Sequence, residues 1–404
     1  MDGWQASNRS GSTEDLRVGV IGVGGRGRLA AHAHRPGAGS RLVAGADPNE
    51  KARAAFASAY PDAKVFTDYR TMLDQVPMDA VIIASPDFLH EEHAIAALER
   101  GIAVYLEKPM AITIDGCDRI LATAAASGAK LYLGHNMRHM SFVREMKRQI
   151  DSGVIGEVKA AWCRHFIAYG GDAYYKDWHS ERRYVTSLLL QKAVHDIDVM
   201  HWLCSGFTQS VVAMGDLTVY DQVKSRRPAD QPGDPSWSDD NWPPLAQTGL
   251  SPIIDVEDLN HVLLRLDNGV LATYQQCHYT PDAWRNYTII GTEGRIENIG
   301  DEPGKCEIRI WTRRTSFKER GDIQIPIPHV EGGHGGADPL IINEFLEYVR
   351  NDAPITIEPE AARAAVAAAY AAADSLRNGC VPRRIPPIRR ELAPQREVAS
   401  AARS

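Results

Sequence analysis

The chain contains 404 residues, of which 44% are apolar and 24% are charged, a composition typical of a globular protein with two or three domains. Its net charge of -7 and its pI near 6.1 give no basic field for a phosphate backbone, so we expect no nucleic-acid partner. The six cysteines lie far apart without CxxC spacing, which argues against a zinc site or a disulfide framework. We therefore expect no metal and a reducing compartment.

The two ends of the chain resemble neither export signals nor membrane anchors. Residues 1–15 are polar and lack the apolar core and paired arginines of an export signal, so they are predicted to form a flexible tail. No run approaches the about 20 apolar residues that cross a membrane. Residues 387–404 are predicted to be a loose tail. These features indicate a cytoplasmic protein without a membrane partner.

The first element is a short β-branched run at residues 16–21 that opens directly into the sequence GVGGRG at residues 22–27. This is a GxGxxG pattern after a strand, and an Ala-rich helical stretch at residues 29–33 follows it. Glycines permit a tight turn and close approach of the backbone to a pyrophosphate at the helix N-terminus. The predicted cofactor-binding residues in this turn are Gly22, Gly24, Gly25, Arg26 and Gly27.

Asp47 follows the second predicted strand, residues 41–46, and lies 47 - 27 = 20 residues beyond the last glycine of the turn. A carboxylate at this position accepts hydrogen bonds from the adenosine ribose and repels a 2′-phosphate, which favours NAD over NADP. Two alternatives stay open at this point. Asp47 could cap the helix that begins near Pro48, and a neighbouring arginine could admit NADP.

Strands and helices then alternate to residue 133, which predicts a doubly wound Rossmann domain over residues 16–137. The turn Ser85-Pro86 follows one strand, where a nicotinamide ribose would pass. His90 either faces this ribose or the substrate, or caps a helix. A second strand ends in Glu107-Lys108-Pro109.

Lys108 is the main candidate for proton transfer, although an isolated Lys-Pro is usually a surface feature. Glu107 is expected to orient the strand end rather than to react. The last strand leads into the sequence GHNMRH at residues 134–139. It contributes Asn136 as a cofactor candidate and Arg138 as a substrate candidate.

From residue 156 the strands become longer, and hairpin turns are predicted at residues 267–269 and 291–294. This pattern predicts an α+β domain over residues 138–386 with a large, open, mostly antiparallel sheet covered on one face by helices. Residues 221–254, rich in Pro, Asp, Ser and Trp, interrupt it as an insertion. The insertion is either a lid or an oligomer contact.

A helix is predicted over residues 185–203, between the first two strands of this domain. Gln191, His195, Asp198 and Trp202 are spaced i, i+4, i+7 and i+11, so they share one face beside an apolar stripe. Such a polar line can face a cavity. The alternative is that His195 is a core histidine bonded to a neighbour.

Two further clusters could line a pocket. Residues 177–183 hold hydrogen-bond donors and an indole, which suit the hydroxyls and the apolar face of a sugar, or else form a solvated charged loop. The candidates here are Trp178, His179 and Arg183. The second cluster, at residues 334–338, contributes His334, while Asp338 could be only the N-cap before Pro339.

The order of these motifs resembles that of the glucose-fructose oxidoreductase / inositol dehydrogenase / MocA family. The resemblance rests on the glycine turn, Asp47, residues 85–90, Glu107-Lys108-Pro109, residues 134–139 and residues 195–198, and it extends from about residue 16 to 386. It implies an NAD-dependent oxidoreductase whose C-terminal sheet forms a homodimer or homotetramer. It also implies a cis Lys108–Pro109 bond that aims the amine at the nicotinamide, and a catalytic His195 opposite that amine.

The sequence departs from the family pattern four residues before His195, where the family commonly carries Asp and this chain has Gln191. An amide can hold a substrate hydroxyl but cannot titrate, so the usual carboxylate–histidine relay is absent. Proton transfer is then expected from Lys108 and His195. Lys192 could reach the substrate, although an i,i+4 ion pair with Asp196 is slightly favoured.

These features favour an NAD-dependent oxidoreductase that transfers a hydride between a sugar or polyol carbinol and the nicotinamide. The alternative is a glycoside hydrolase that uses NAD in a closed cycle of oxidation, elimination, hydration and re-reduction. A third hypothesis is a dinucleotide-sensing regulator, which the presence of both Lys108 and His195 disfavours. A small-molecule carbohydrate or glycoside is the expected substrate.

Overall fold

The computed structural model describes residues 14–388. The tails predicted at residues 1–15 and 387–404 therefore lie almost wholly outside the described residues. Two sheets organise the described chain, a six-stranded one followed by a nine-stranded one. This arrangement confirms the predicted fold class of a Rossmann domain joined to an α+β domain.

The first sheet is entirely parallel, because each of its strands is followed by a crossover that returns the chain to the same edge. Its strand order is β3-β2-β1-β4-β5-β6. Strands are added outward on one side of β1 as far as β3, and on the other side from β4 onward. The strands at its centre are apolar and buried on both faces, as expected for a sheet covered on both sides by helices. The strands are β1 (Leu16–Ile21), β2 (Ser40–Ala46), β3 (Lys64–Phe66), β4 (Ala80–Ile83), β5 (Ala103–Leu106) and β6 (Leu131–Leu133). The helices are α1 (Glu50–Ala59), α2 (Tyr69–Gln75), α3 (His90–Leu98) and α4 (Ile114–Ser127), and α5 (Ser141–Asp151) leads into the second domain.

The helical stretch after the glycine turn differs in type from an ordinary α-helix. Residues Gly25–Ala33 form a 3-10 helix, in which Gly27 N–H donates to Gly24 O at 2.7 Å. A 3-10 turn is tighter than an α-helical one, so the chain stays close to the end of β1. The glycines at the start of this helix make such a tight entry possible.

The second sheet is mostly antiparallel and runs β14-β13-β12-β11-β7-β10-β9-β8-β15, with only β7 and β10 parallel. Burial alternates along β9 and β13, so one face is buried and the other is open. The predicted hairpin turns are confirmed: Gly269 has φ +89°, and Gly291 N–H donates to Gly294 O. The strands are β7 (Val158–Phe166), β8 (Thr208–Asp216), β9 (Leu259–Leu266), β10 (Leu271–Cys277), β11 (Trp284–Gly291), β12 (Arg295–Ile299), β13 (Glu307–Trp311), β14 (Ile323–Pro326) and β15 (Arg383–Arg384).

Helices cover the inner face of this sheet. Its strands pack against α5, α8 (Val194–Cys204) and α10 (Pro359–Arg377). The other helices of the second domain are α6 (Gly170–Tyr174), α7 (Arg182–Val185) and α9 (Gly333–Asn351). α10 packs against β8 and α8. Its many alanines are buried, and their small side chains allow this close approach.

The helix predicted over residues 185–203 is confirmed from residue 188 onward, where a helical run begins that continues to Cys204. The start of the predicted helix differs, because α7 ends at Val185 and Thr186 after it adopts a left-handed backbone with φ +64°. A π-helical turn, Leu189–Ala193, then leads directly into α8. The Thr186 hydroxyl donates to Ile112 O at 2.6 Å, and Leu190 N–H donates to the Ser187 hydroxyl at 3.1 Å. These side-chain hydrogen bonds replace helical backbone hydrogen bonds and interrupt the helix at residues 186 and 187.

The insertion at residues 221–254 contains two short 3-10 turns and packs beside α6. Ser251 N–H donates to Tyr175 O at 2.8 Å, and Asn241 Nδ2 donates to Asp172 Oδ1 at 2.5 Å. The insertion therefore supports the loop that carries α6.

In residues 14–388 all six cysteines are free thiols. No helix in that range is both long enough and apolar enough to cross a membrane.

Candidate active site

A cavity of about 1010 Å³ lies at the carboxyl ends of β1, β2, β4 and β5, next to the chain of the second domain. This is the edge at which open parallel sheets bind ligands. Most of the predicted site residues line it: Gly22, Gly24, Gly25, Arg26, Asp47, Ser85, Pro86, His90, Glu107, Lys108, Asn136, Trp178, His179, Gln191, Lys192, His195 and His334. Gly27, Arg138 and Arg183 do not.

The glycine turn leaves room for a phosphate-bearing ligand against the backbone. A Cβ on Gly22 would lie 2.8 Å from the backbone of Ala84 and Ser85, and one on Gly27 would lie 1.8 Å from Gly22 O. Only glycine fits these positions. Gly24 and Gly25 present bare backbone to the cavity, and nothing lies within 4 Å of an ideal Cβ on Gly25. The turn therefore fits the pyrophosphate of a dinucleotide.

Asp47 lies at the far end of this cavity. Its carboxylate accepts hydrogen bonds from Val23 N at 3.1 Å and Asn49 N at 2.8 Å. The N-cap of α1 is Asn49, not Asp47, so the capping alternative for Asp47 is wrong. Arg53 Nη1 donates to Asp47 O at 2.8 Å and does not line the cavity. This leaves a carboxylate, without an adjacent guanidinium in the lining, to meet the adenosine ribose.

Arg26 of the glycine turn connects the two domains. Its guanidinium donates to Glu107 Oε1 at 2.8 Å and to both carboxylate oxygens of Asp338 at 2.8 and 2.9 Å. His334 Nδ1 lies 2.9 Å from Asp338 Oδ2, and Asn136 Nδ2 donates to Oδ1 at 3.2 Å. Burial raises the pKa of Asp338, but His334 and Arg26 outweigh it and hold that pKa well below its usual range. Asp338 is thus an anchor between domains and not a simple N-cap.

His90 holds two loops of the cavity together. Its Nδ1 lies 2.7 Å from Pro109 O and its Nε2 lies 2.9 Å from Ser85 O. The ring is buried, and it fixes the Ser85-Pro86 turn to the cis Lys108–Pro109 peptide. His90 therefore holds Ser85 and Pro109 in place. Both of its ring nitrogens are occupied, so it is not free to bind a ligand through either of them.

The amine of Lys108 lies in the cavity and donates to Gln191 O in the π-helical turn at 3.1 Å. Burial lowers the pKa of Lys108 to about 8, while the Asp87 carboxyl raises it and the Lys192 ammonium lowers it further. An amine with this pKa can exchange a proton near neutral pH. Glu107 accepts from the backbone N–H of Lys108 at 3.2 Å and from Arg26 at 2.8 Å.

His195 lines the same part of the cavity and is buried. Burial and the neighbouring Lys108 charge hold the pKa of His195 well below its usual value, so the ring is neutral. Within residues 14–388 its Nδ1 has no hydrogen-bond partner. The neutral imidazole can therefore accept a hydrogen bond from a substrate.

The polar face predicted from Gln191 to Trp202 is only partly a cavity face. Gln191 and His195 line the cavity, whereas Asp198 and Trp202 do not. Both contact Arg138 instead: its guanidinium donates to Asp198 at 2.8 and 2.6 Å and lies over the Trp202 ring. The structure thus places Arg138 in a buried ion pair, away from the substrate position predicted for it.

The end of the cavity that is formed by the second domain, here called the substrate end, is lined by aromatic and basic side chains. They are Tyr174, Trp178, His179 and Lys192. The rings of Trp178 and His179 stack with centroids 3.7 Å apart. Arg183 lies outside the cavity, exposed and paired with Glu181 at 2.8 Å.

The ion pair favoured between Lys192 and Asp196 is wrong. Asp196 is buried and bonded instead to other elements, with His165 at 3.0 Å and Arg285 at 3.1 Å among its partners. This leaves Lys192 in the cavity lining.

Among the cavity residues that the sequence did not predict, Asp87 and Tyr174 lie close to the candidate catalytic groups. Asp87 is 5% exposed, and within the described range its Oδ2 has no hydrogen-bond partner. Burial raises the pKa of this carboxyl. Tyr174 lines the substrate end. Asp87 directly follows Ser85-Pro86, so its position in that turn was a signal for it, whereas Tyr174 carried none.

The parallel sheet has the strand order 3-2-1-4-5-6, carries a glycine turn and is joined to a large open sheet. A lysine and a histidine lie together in the cavity between them. These features are typical of a two-domain dinucleotide-binding oxidoreductase. Two family models match the chain. One is described as the oxidoreductase family, NAD-binding Rossmann fold, at residues 16–135, and the other as the C-terminal alpha/beta domain of the same family at residues 147–382. The chain belongs to the Gfo/Idh/MocA oxidoreductase family, which confirms the resemblance and the NAD cofactor.

Individual relatives agree with this assignment. YteT of Bacillus subtilis, named as an oxidoreductase, is 27% identical over 66% of this chain and 72% of its own length. The inositol 2-dehydrogenase of Burkholderia multivorans is 34% identical over 46% of this chain, which spans only 54% of that relative. A levoglucosan dehydrogenase structure, in complex with NADH and levoglucosan, has a TM-score of 0.74 at 20% identity, with 93% of this chain and all of that chain covered. At that identity the structural likeness shows the fold alone.

Proposed function

We propose that the protein is an NAD-dependent dehydrogenase that oxidises a carbinol of a sugar or polyol, with Lys108 and His195 in proton transfer. The observation that carries the proposal is the buried Lys108 amine, held by Gln191 O at 3.1 Å in the same cavity as the glycine turn and His195. The names of the relatives, inositol 2-dehydrogenase and levoglucosan dehydrogenase, support the substrate class.

In this proposal the cofactor is held by the chain in three places. The backbone at Gly24 and Gly25 receives the pyrophosphate, Asp47 receives the adenosine ribose, and the Ser85-Pro86 turn receives the nicotinamide ribose. The bound nicotinamide supplies the hydride acceptor. Glu107 and His90 fix the strand end and the cis peptide that carry Lys108.

The proton of the substrate hydroxyl passes to Lys108 or His195. Burial lowers the pKa of Lys108 to about 8, and its neutral form is a competent base. His195 is neutral and has an unpartnered nitrogen in the described structure. Gln191 Oε1, also without a partner among residues 14–388, can accept a hydrogen bond from a second hydroxyl but cannot take a proton.

Two substitutions test these roles. Lys108→Met and His195→Gln should each lower kcat for sugar oxidation by about 100-fold or more, while NAD binding, followed by fluorescence titration with NADH, changes little. Absorbance at 340 nm across a panel of sugars and polyols gives the rates. Purified wild-type protein that binds NAD but reduces none of it with any member of the panel would contradict the proposal.

A second candidate function is glycoside hydrolysis through transient oxidation. The observation that favours it is His179, whose Nδ1 lies 2.6 Å from Asp177 Oδ1 at the cavity wall. Such an imidazole–carboxylate pair could serve an elimination step that simple oxidation does not need. Release of an aglycone from a glycoside without accumulation of NADH would favour the hydrolase, and stoichiometric NADH would favour the dehydrogenase.

We also propose that the protein is a homodimer or homotetramer formed through the open face of the C-terminal sheet. Trp162, Met214, Leu263 and Leu271 lie on neighbouring strands of that face and are 46, 64, 60 and 51% exposed. A contiguous apolar face of this kind is typical of a subunit interface.

A further inference from the structure

Lys192 places a second ammonium group at the substrate end of the cavity, and it bears on which substrate the proposed dehydrogenase takes. It follows Gln191 in the π-helical turn and lines the cavity together with Lys108 and His195. Its Nζ lies 5.5 Å from the ring centroid of Tyr169 and 5.7 Å from that of Tyr174. No carboxylate oxygen in residues 14–388 comes within 4.0 Å of this amine.

The carboxylates near this end of the cavity act on other groups, and Asp87 acts on Lys108. Asp196 is paired with Arg285 and His165, and Glu107 is paired with Arg26. The described residues therefore supply no carboxylate partner for Lys192. A buried ammonium without an anion is costly, and a site that keeps one is suited to an anionic ligand.

The two tyrosines keep Lys192 charged. Burial lowers the pKa of Lys192, but the phenols of Tyr169 and Tyr174 outweigh it, and the net pKa is raised. Burial raises the pKa of Tyr169, yet the Lys192 ammonium and the Arg285 guanidinium outweigh it and hold that pKa below its usual value. The ammonium and the Tyr174 hydroxyl thus form a group of donors facing the cavity.

The side-chain oxygen of Gln191, the residue before Lys192, is a second polar group without a partner among the described residues. Gln191 is 6% exposed and lines the cavity, and its Oε1 has no hydrogen-bond partner in the described chain. An amide oxygen accepts a hydroxyl hydrogen but does not bind an anion. The cavity end therefore combines an anion subsite at Lys192 with a hydroxyl subsite at Gln191.

Resting on the proposed function, we infer that the substrate is a sugar acid, an aldonate or uronate, whose carboxylate binds Lys192 and Tyr174 while a hydroxyl lies against Gln191, Lys108 and His195. The reaction removes a hydride, with two electrons, from the carbinol C–H to NAD, and the hydroxyl proton goes to Lys108 or His195. The carboxylate takes no part in the bond changes. A carboxylate fits better than a phosphate, because a single unpaired ammonium matches a monoanion.

The test compares matched pairs of substrates on the full-length protein with NAD. Glucose is paired with glucuronate and galactose with galacturonate, and glucose 6-phosphate is the phosphate arm. Wild-type protein should favour the acids in kcat/KM. Lys192→Met should lower the acid-to-neutral ratio of kcat/KM by about 10- to 100-fold, chiefly through KM for the acid, because a hydrogen bond to a charged group is lost.

Lys192→Arg should retain most of the preference, and Lys305→Met, a change to an exposed lysine paired with Glu302, is the matched control. An unchanged ratio in Lys192→Met, or a preference for glucose 6-phosphate, overturns the inference. Calorimetric titration of glucuronate into the NADH-bound protein separates the two proposals. If glucuronate binding depends on Lys192 but no sugar is turned over, the dehydrogenase is contradicted and the anion subsite is supported. If only neutral sugars are turned over, the dehydrogenase is supported and the anion subsite is contradicted.

Discussion

At the scale of single residues, the protonation of Lys108 is set by opposing neighbours. Burial lowers its pKa to about 8, the Asp87 carboxyl raises it, and the Lys192 ammonium lowers it. The proposed oxidation needs the neutral amine, which is the form that accepts a proton. The direction of the pH dependence follows from this requirement.

We expect kcat/KM for sugar oxidation to rise with pH through about 8 and to level off above it, because Lys108 loses its proton there. Carbonyl reduction needs the ammonium form and should fall over the same range. Asp87→Asn removes a neighbour that raises the pKa of Lys108, so the rising limb should move to lower pH. Initial rates at constant ionic strength check this, and a limb that stays in place in Asp87→Asn would remove Asp87 from this role.

Asp47 governs the choice of cofactor in a second prediction at this scale. Asp47→Asn keeps an acceptor for Val23 N or Asn49 N but removes the charge that opposes a 2′-phosphate. The NADP-to-NAD ratio of kcat/KM should rise by at least about tenfold. Asp62→Asn, at an exposed position, is the control. An unchanged ratio would mean that Asp47 does not face the ribose.

At the scale of elements, the glycine turn depends on close backbone packing. A Cβ at Gly27 would lie 1.8 Å from Gly22 O, whereas one at Gly24, where φ is -85°, would meet the Ala52 Cβ at 3.5 Å and Asp47 Oδ2 at 3.9 Å, both ordinary contacts. We expect Gly27→Ala to lower the free energy of unfolding by more than about 2 kcal/mol. Gly24→Ala should change it by less than about 0.5 kcal/mol. Urea unfolding followed by circular dichroism compares the two, and equal losses would contradict this account.

How far the sequence predicted the elements depended on whether local pattern decides them. The predicted strands at residues 16–21 and 307–311 match β1 and β13, because burial on a pleated strand follows directly from alternation or from an apolar run. The helix predicted over residues 185–203 begins three residues late, at residue 188, because Thr186 bonds to Ile112 O, 74 residues away in sequence. Helical periodicity contains no information about that contact.

The site shows the same division. The residues predicted for the cofactor come from motifs whose spacing is local, and all of them except Gly27 line the cavity. The substrate end depends on ion pairs between distant elements. Arg138 is held by Asp198, and Asp196 is occupied by Arg285, which leaves Lys192 in the cavity. These partners become neighbours only when the two sheets and α8 pack together.

At the scale of the whole molecule, the nine-stranded sheet has one covered face and one open face. Helices α8 and α10 pack on the inner face, where His165 and Asp196 lie buried behind the site. The outer face carries the row Val212, Leu263, Thr273 and Trp162 across four neighbouring strands. An open apolar face of this extent favours association of two copies.

The proposed assembly leads to a last prediction. We expect the wild-type protein to sediment at two or four times its chain mass of 44.5 kDa. Leu263→Arg places a charge in the centre of the face, where it would be buried without a partner, so it should dissociate the assembly. Phe317→Arg, at a residue 89% exposed and outside the strands of this face, should leave the assembly unchanged. Analytical ultracentrifugation distinguishes these outcomes. A wild-type mass of 44.5 kDa, or an intact assembly in Leu263→Arg, would contradict this interface.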